Sequence, residues 1–153
     1  IGGNHIIHAA RRNIDMTVVC ANNGIYGMTG GQVASTTPIG ARTTTTPGGN
    51  LERPFDLCKL VEASGATFVA RQPVATPVPL TRTLKKAIAH RGFAFVDVPS
   101  PCPTQFGRRN AFRTAYDMIK ALKDSCIPVE KAKGLEPAEL QGKMVVGEFV
   151  NIQ

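Results

Sequence analysis

Two neighbouring asparagines, Asn22 and Asn23, stand at the end of the apolar, β-branched run of residues 16–21 and are followed at once by Gly24. Side-chain amide oxygens and backbone carbonyls are hard donors of the kind Mg2+ takes, and that ion completes its shell with water and substrate phosphates. Gly24 permits a sharp turn, so a carbonyl further along can face the same ion. Gly27 and the Gly30-Gly31 pair would let backbone approach a ligand closely. On residue types alone two readings stay open: a phosphate–metal site, or a glycine-rich surface turn begun by an Asn pair.

Cys102 is a second candidate. Pro101 and Pro103 fence it just past an apolar run, and Gly107-Arg108-Arg109 follows. A thiol in a stiff exposed turn near cations is biased toward thiolate, the form that attacks or binds metal. The other cysteines read differently: Cys20 and Cys58 sit inside apolar runs as small buried hydrophobes, and Cys126 ends a helix. No C-x-x-C or zinc-type spacing occurs. His5 and His8 fit a structural place on a helix as well as a functional one.

Periodicity supplies the elements that must position these residues. Residues 4–12 read as a helix, with Ile6, Ile7 and Ala10 at helical spacing, and residues 16–21 as a buried parallel strand. From Tyr26 to Asn50 the periodicity vanishes and Gly, Thr and Pro dominate; so long a loop in a compact domain is usually functional or disordered. Pro54 is expected to start a helix reaching residue 63, and residues 67–70 form the second strand. An amphipathic helix over 80–90 places Leu84, Ala87 and Ile88 inward and Arg82, Lys85 and Lys86 outward, and Gly92 stops it. Residues 93–98 are the third strand, and a helix over 114–123 carries Tyr116, Ile119 and Leu122. Residues 128–141 read as a surface excursion and 143–151 as an edge strand. The alternation implies an α/β fold, an open parallel sheet with flanking helices and right-handed crossovers. Residues 1–127 form its domain and 128–153 a C-terminal extension. Ligands in such sheets bind beyond the carboxyl ends of the strands, where Asn22 and Asn23 fall.

The run Ala21-Asn22-Asn23-Gly24-Ile25-Tyr26-Gly27-Met28-Thr29-Gly30-Gly31-Gln32 resembles the second half of the thiamine-diphosphate motif, in the form found in beta subunits of 2-oxoacid:ferredoxin oxidoreductases. Ile1-Gly2-Gly3-Asn4-His5 and Ile7-His8-Ala9-Ala10-Arg11-Arg12-Asn13 resemble the same subunits, and the likeness covers almost the whole chain, weakening after Cys126. It implies a thiamine-diphosphate-binding fold in which Asn23 ligates Mg2+ through its side chain and Ile25 through its carbonyl. Gly27, Met28 and Thr29 are then expected at the diphosphate or thiazolium, with Met28 pressing on the thiamine. Asn4 and His5 are expected at a helix N-terminus beside the diphosphate. The segment Pro99-Ser100-Pro101-Cys102-Pro103-Thr104-Gln105-Phe106-Gly107-Arg108-Arg109-Asn110 resembles the family stretch whose cysteine completes a [4Fe–4S] cluster, which makes Cys102 a cluster ligand.

The family's Gly-Asp-Gly-Asp, whose Asp is the other protein ligand to Mg2+, precedes the Ile-Gly-Gly and is absent from this sequence. The chain is therefore expected to be N-terminally incomplete, a half-site completed by the N-terminal part of the beta subunit. The implied reaction is oxidative decarboxylation of a 2-oxoacid to its acyl-coenzyme A, with electrons passing through the cluster to ferredoxin. The cofactor carries the carbanion chemistry. A companion alpha subunit would supply substrate contacts, and a glutamate from elsewhere the acid–base role. The motif forms point to the 2-oxoglutarate branch, with branched-chain 2-oxoacids and pyruvate as alternatives. A non-oxidative thiamine enzyme and a basic nucleic-acid-binding module are the readings from other classes.

The 153 residues suffice for one α/β core. Eighteen Lys and Arg against 11 Asp and Glu give a net charge of +7. The cations are scattered and no nucleic-acid-binding motif accompanies them, so a nucleic-acid partner is not expected; a basic face also steers acidic proteins such as ferredoxins. No apolar run approaches the roughly 18–20 residues of a membrane span. No secretory leader is recognisable, and a cytoplasmic setting is expected.

Overall fold

The computed structural model describes residues 2–152; Ile1, the first residue of the Ile1-Gly2-Gly3 motif, and Gln153 lie outside the described residues. The elements are α1 (Gly3–Arg11), β1 (Met16–Asn22), α2 (Leu57–Ala63), β2 (Phe68–Arg71), α3 (Pro77–Ala89), β3 (Phe93–Pro99), a π-turn (Pro103–Gly107), α4 (Ala115–Ser125), β4 (Cys126–Pro128), α5 (Val129–Ala132) and β5 (Met144–Asn151). The strands make one open sheet in the order β1-β3-β2-β5-β4. β1, β3 and β2 are parallel. β5 joins β2 antiparallel, and β4 runs parallel to β5. The fold is thus α/β with a mostly parallel sheet and helices on both faces.

β3 is buried along its whole length and serves both faces. Phe93 and Phe95 point to the side of α1 and α2, where they pack with Ile6, Ala10, Leu57, Cys58 and Val61. Ala94, Val96 and Val98 point to α3, against Ala87, Leu80 and Leu84. This is the two-sided apolar pattern of a strand covered by helices on both faces. Each phenylalanine so buried stabilises the fold by roughly 1.5–3 kcal/mol.

Several sequence expectations shift. β1 lies at the sheet edge, not in its interior, and Val19 is 50% exposed there. α2 begins at Leu57 instead of at Pro54, because the Asp56 carboxylate accepts the Lys59 N–H and caps the helix. α3 starts at Pro77, a turn earlier than expected. Its buried line runs through Thr83 and Ala87, so Ile88, about 100° further round, is 72% exposed rather than inward. α4 buries Met118 and exposes Tyr116, with Thr114 and Asp117 forming a capping box at its start. β5 is not an edge strand: it sits between β2 and β4, and strand pairing continues on both sides of residue 127.

Candidate functional site

The long segment between β1 and α2 contains no helix or strand beyond the single bridge Tyr26–Gln32, yet it is ordered by buried hydroxyls and one buried amide. The Thr37 hydroxyl donates to the Gly24 carbonyl (2.7 Å) and accepts the Ala34 N–H (2.8 Å). Asn50 donates to the carbonyls of Thr37 (2.9 Å) and Glu52 (3.0 Å) and accepts the Glu52 N–H. The Thr43 hydroxyl accepts the N–H groups of Thr45 and Thr46. Buried polar groups must be paired, and here that pairing takes the place of secondary structure. The threonine-rich composition is what makes the loop rigid.

The two asparagines divide their work. The Asn22 side-chain oxygen accepts the Gly24 N–H (3.1 Å) and the Thr36 hydroxyl (2.8 Å), which locks the turn; Gly24 has φ +64. Asn23 is exposed, and its amide nitrogen donates toward the Ser100 hydroxyl (3.3 Å). That orientation leaves its oxygen turned elsewhere. Among the described residues neither the Asn23 side-chain oxygen nor the Ile25 carbonyl accepts a hydrogen bond. Two neutral oxygen donors close in sequence fit part of a Mg2+ shell. No group of three or more His, Cys, Asp or Glu that could hold a metal occurs among the described residues.

These residues open onto a cavity of about 590 Å3 at the carboxyl end of β1, within the ~300–1,000 Å3 typical of small-molecule sites. Asn23, Ile25, Gly27, Met28 and Thr29 all line it. Met28 is 99% exposed at the rim, on a hairpin tied by the Thr29 and Gln32 side chains (2.7 Å). Asn4 and His5 do not reach the wall; Gly2, Gly3 and Ile6 of the helix start do. Gly2 leaves the first amides of α1 without a side-chain cap, and free amides at a helix N-terminus suit a phosphate. Cys20, expected only as a small buried hydrophobe, also lines the cavity.

Cys102 lies outside the cavity but against its wall. Its sulfur is 3.0 Å from where a Cβ on Gly27 would sit. The neighbouring Gly31 is as closely covered: a Cβ there would meet the Gln105 amide oxygen at 2.8 Å and the Arg109 guanidinium at 3.3 Å. Arg109 in turn donates to that oxygen (2.7 Å) and to the Gln105 carbonyl (2.9 Å). Asn110 clamps the backbone of Arg42 from both sides, accepting its N–H (2.8 Å) and donating to its carbonyl (3.0 Å). The π-turn and the glycine loop therefore form one seam.

Burial works to raise the Cys102 thiol, but N–H donors from Gln105, Phe106 and Thr104 and the Thr104 hydroxyl outweigh it and hold the thiol below its ordinary value. The thiolate is thus favoured by the turn's own amides, not by the expected arginine charge, since Arg109 is engaged with Gln105. A single thiolate beside the Thr104 hydroxyl (3.7 Å) fits one position of an iron–sulfur cluster, whose sulfurs are commonly hydrogen-bonded. It supplies one ligand of the four.

Asp97 is an acid within the apolar β3 that no motif or spacing singles out. It is 1% exposed and pairs with Arg71 (2.8 Å), which also holds Asp56 at the N-terminus of α2 (2.6 Å). Burial alone would lower the Arg71 pKa; the surrounding acidic groups reverse this and raise it. One side-chain oxygen of Asp97 has no partner among the described residues. The network joins α2, β2 and β3 behind the cavity floor.

A sheet with a carbonyl-and-amide turn at its carboxyl edge, opening on a cavity beside a free helix N-terminus, is the arrangement of a diphosphate-cofactor domain. The family described as thiamine pyrophosphate enzyme, C-terminal TPP binding domain, matches residues 1–98, and the chain belongs to it. The chain is 56% identical over its full length to 2-oxoglutarate synthase subunit KorB of Methanocaldococcus jannaschii, covering 57% of that protein. It is 52% identical over 99% of its length to the same-named subunit of Methanothermobacter thermautotrophicus, covering 53% of it. A solved 2-oxoglutarate:ferredoxin oxidoreductase from Magnetococcus marinus, with 2-oxoglutarate, coenzyme A and succinyl-CoA bound, superposes with a TM-score of 0.80 at 30% identity. That match covers 99% of this chain and 52% of the other. The chain spans about half the length of the relatives it matches.

Proposed function

We propose that this chain is the cofactor-turn half of the beta subunit of a 2-oxoacid:ferredoxin oxidoreductase acting on 2-oxoglutarate. The observation that carries the reading is the Gly27–Cys102 contact, in which the wall of the thiamine-type cavity and the candidate cluster thiolate touch. A non-oxidative thiamine enzyme has no use for that contact. The identities to two KorB subunits and the fold of the Magnetococcus marinus enzyme support the same substrate.

In this reading Asn23 and the Ile25 carbonyl hold Mg2+, and Gly27, Met28 and Thr29 bound the diphosphate and thiazolium. The amides at the start of α1, with Asn4 and His5 contributing through backbone, take the outer phosphate. Bound thiamine diphosphate supplies the electron sink for decarboxylation, and a [4Fe–4S] cluster ligated in part by Cys102 takes up electrons singly. This chain's residues orient the diphosphate, exclude water behind the Gly27–Gln32 hairpin and fix Cys102 against it. Residues 1–127 act as the cofactor domain, and 128–153 as an extension that lends β5 to its sheet. The remaining Mg2+ and cluster ligands come from the N-terminal part of the beta subunit. Substrate contacts come from an alpha subunit, and ferredoxin removes the electrons. The overall conversion is 2-oxoglutarate, coenzyme A and two oxidised ferredoxins to succinyl-CoA, CO2, a proton and two reduced ferredoxins. No helix among the described residues is long and apolar enough to cross a membrane. A cytoplasmic setting belongs to the same proposal.

The test is the native complex containing this chain, kept anaerobic with coenzyme A and a low-potential dye, offered 2-oxoglutarate, pyruvate and 2-oxoisovalerate. Coenzyme A-dependent reduction fastest with 2-oxoglutarate is expected. A lead by another 2-oxoacid corrects the substrate alone. No reduction by a cofactor-replete complex overturns the oxidoreductase reading.

A further inference from the structure

The surface around the π-turn is electrically one-sided. Residues 16–51 and 98–116 contain no Asp or Glu, and their only charges are Arg42, Arg108, Arg109 and Arg113. The fold brings these four together. Asn110 bonds the Arg42 backbone in both directions, and the Phe112 N–H returns to the Gly107 carbonyl (3.1 Å), curling the segment that carries the other three. Ala111, within that curl, is held at φ 61, a left-handed conformation a non-glycine residue rarely adopts. Arg42, Arg108 and Arg113 are exposed, Arg109 half-buried. None of the four has an ion-pair partner among the described residues, whereas Arg71 has two and Lys86 and Lys133 one each.

From this juxtaposition we infer that the arginine face beside Cys102 is the docking surface for an acidic electron-carrier protein. The inference rests on the oxidoreductase reading and adds to it the place of the exit. Were Cys102 to hold a cluster, its electrons would have to reach a carrier held close to this sulfur. The two segments beside that sulfur carry arginines and no acid before Asp117, which is engaged in the α4 capping box, so their charge complements an acidic protein. A small phosphate ligand fits the face less well, because neither cavity beside the Asn22-Asn23 turn has an arginine in its wall. Exposed guanidinium groups spread over a surface act chiefly on encounter, raising association rates in a salt-dependent way.

The experiment uses the assembled complex with wild-type chain and with the double variant Arg108→Gln, Arg113→Gln. Four things are measured: reduction of an acidic ferredoxin across a range of ionic strength, reduction of a zwitterionic viologen, the KM for coenzyme A, and assembly by size exclusion. The expected result is a fall of about tenfold in kcat/KM for ferredoxin at low salt and a flatter salt dependence. Viologen reduction and the coenzyme A KM stay at wild-type values. Unchanged ferredoxin kinetics and salt slope would overturn the assignment. So would a raised coenzyme A KM with ferredoxin unaffected, which gives the face to a phosphate ligand, or loss of assembly on size exclusion, which gives it to a subunit contact. A wild-type complex that reduces neither acceptor removes the underlying oxidoreductase reading, and the docking assignment with it.

Discussion

Gly27 and the sulfur of Cys102 are in contact: a Cβ on the glycine would lie 3.0 Å from the sulfur. At that spacing one partner must give way by a few tenths of an ångström, and a free cysteine side chain can do so. A thiolate bound to a cluster cannot, because its position is set by the metal. Gly27→Ala should therefore be mild in cluster-free protein and severe in loaded enzyme. We expect a loss of thiamine diphosphate affinity by about tenfold (~1.4 kcal/mol) in the loaded complex, together with an altered cluster EPR signal. Equal affinity losses with and without cluster would show that the contact does not link the two sites.

Asn22 and Asn23 are adjacent, chemically identical, and predicted to fail differently. Asn22 holds the turn through two accepted hydrogen bonds. Removing that acceptor in Asn22→Ala should cost about 1–3 kcal/mol of stability. Asn23 is exposed, with its oxygen unengaged, so Asn23→Ala should melt within a degree or two of wild type. Its Mg2+-dependent thiamine diphosphate binding in the complex should be lost. Calorimetry separates the pair; a destabilised Asn23→Ala that still binds cofactor would return this residue to a structural role.

The Asp56–Arg71–Asp97 network yields a pH prediction. Burial pushes the Asp56 carboxyl up, but the Arg71 charge and hydrogen bond, with the Lys59 N–H, outweigh it and hold it below the usual carboxylate range. A group with a lowered folded pKa stabilises above its unfolded pKa, and that stability is lost as pH falls through the folded value. Asp56→Asn should therefore lower stability near neutrality and flatten the acid limb of a stability–pH curve, the two proteins converging below about pH 4. Arg71→Met leaves the buried Asp97 unpaired and should cost about 3–5 kcal/mol. A melt showing Arg71→Met no worse than Asp56→Asn would contradict the buried-pair account.

How far the sequence carried depends on which forces are local. The apolar run of β3 and the Leu84–Ala87 spacing of α3 are period signals; β3 appears where periodicity put it, while α3 starts a turn early and turns Ile88 outward. The Asn22-Asn23-Gly24 turn was legible because residue type and position at a strand end agree. The order in the Thr-rich loop was not, since it comes from Thr37, Thr43 and Asn50 bonding backbone groups, with no repeat to betray it. The strand order was equally hidden: β5 pairs with β2 across more than 70 residues, and its antiparallel sense is a tertiary outcome. Asp97 was the one visible sign of a buried network, an acid in a strand with no place for an unpaired charge.

The four cysteines give a last test, one that needs no cofactor. Alkylation proceeds through thiolate, so its rate climbs with pH and levels off above the thiol pKa. Cys102 is held low by the amides of Gln105, Phe106 and Thr104 and by the Thr104 hydroxyl. Burial raises Cys20, with the Asp97 charge adding to it, and raises Cys126. Burial raises Cys58 furthest, and its sulfur donates to the Ala70 carbonyl inside the core. In cluster-free protein iodoacetamide should label Cys102 first, with a rate that plateaus at lower pH than that of Cys126, and leave Cys58 untouched until the fold opens. Thr104→Val should remove part of the advantage by deleting one donor. Peptide mapping across a pH series reads all four at once, and a Cys20 as quick as Cys102 would refute the turn's donors as the cause.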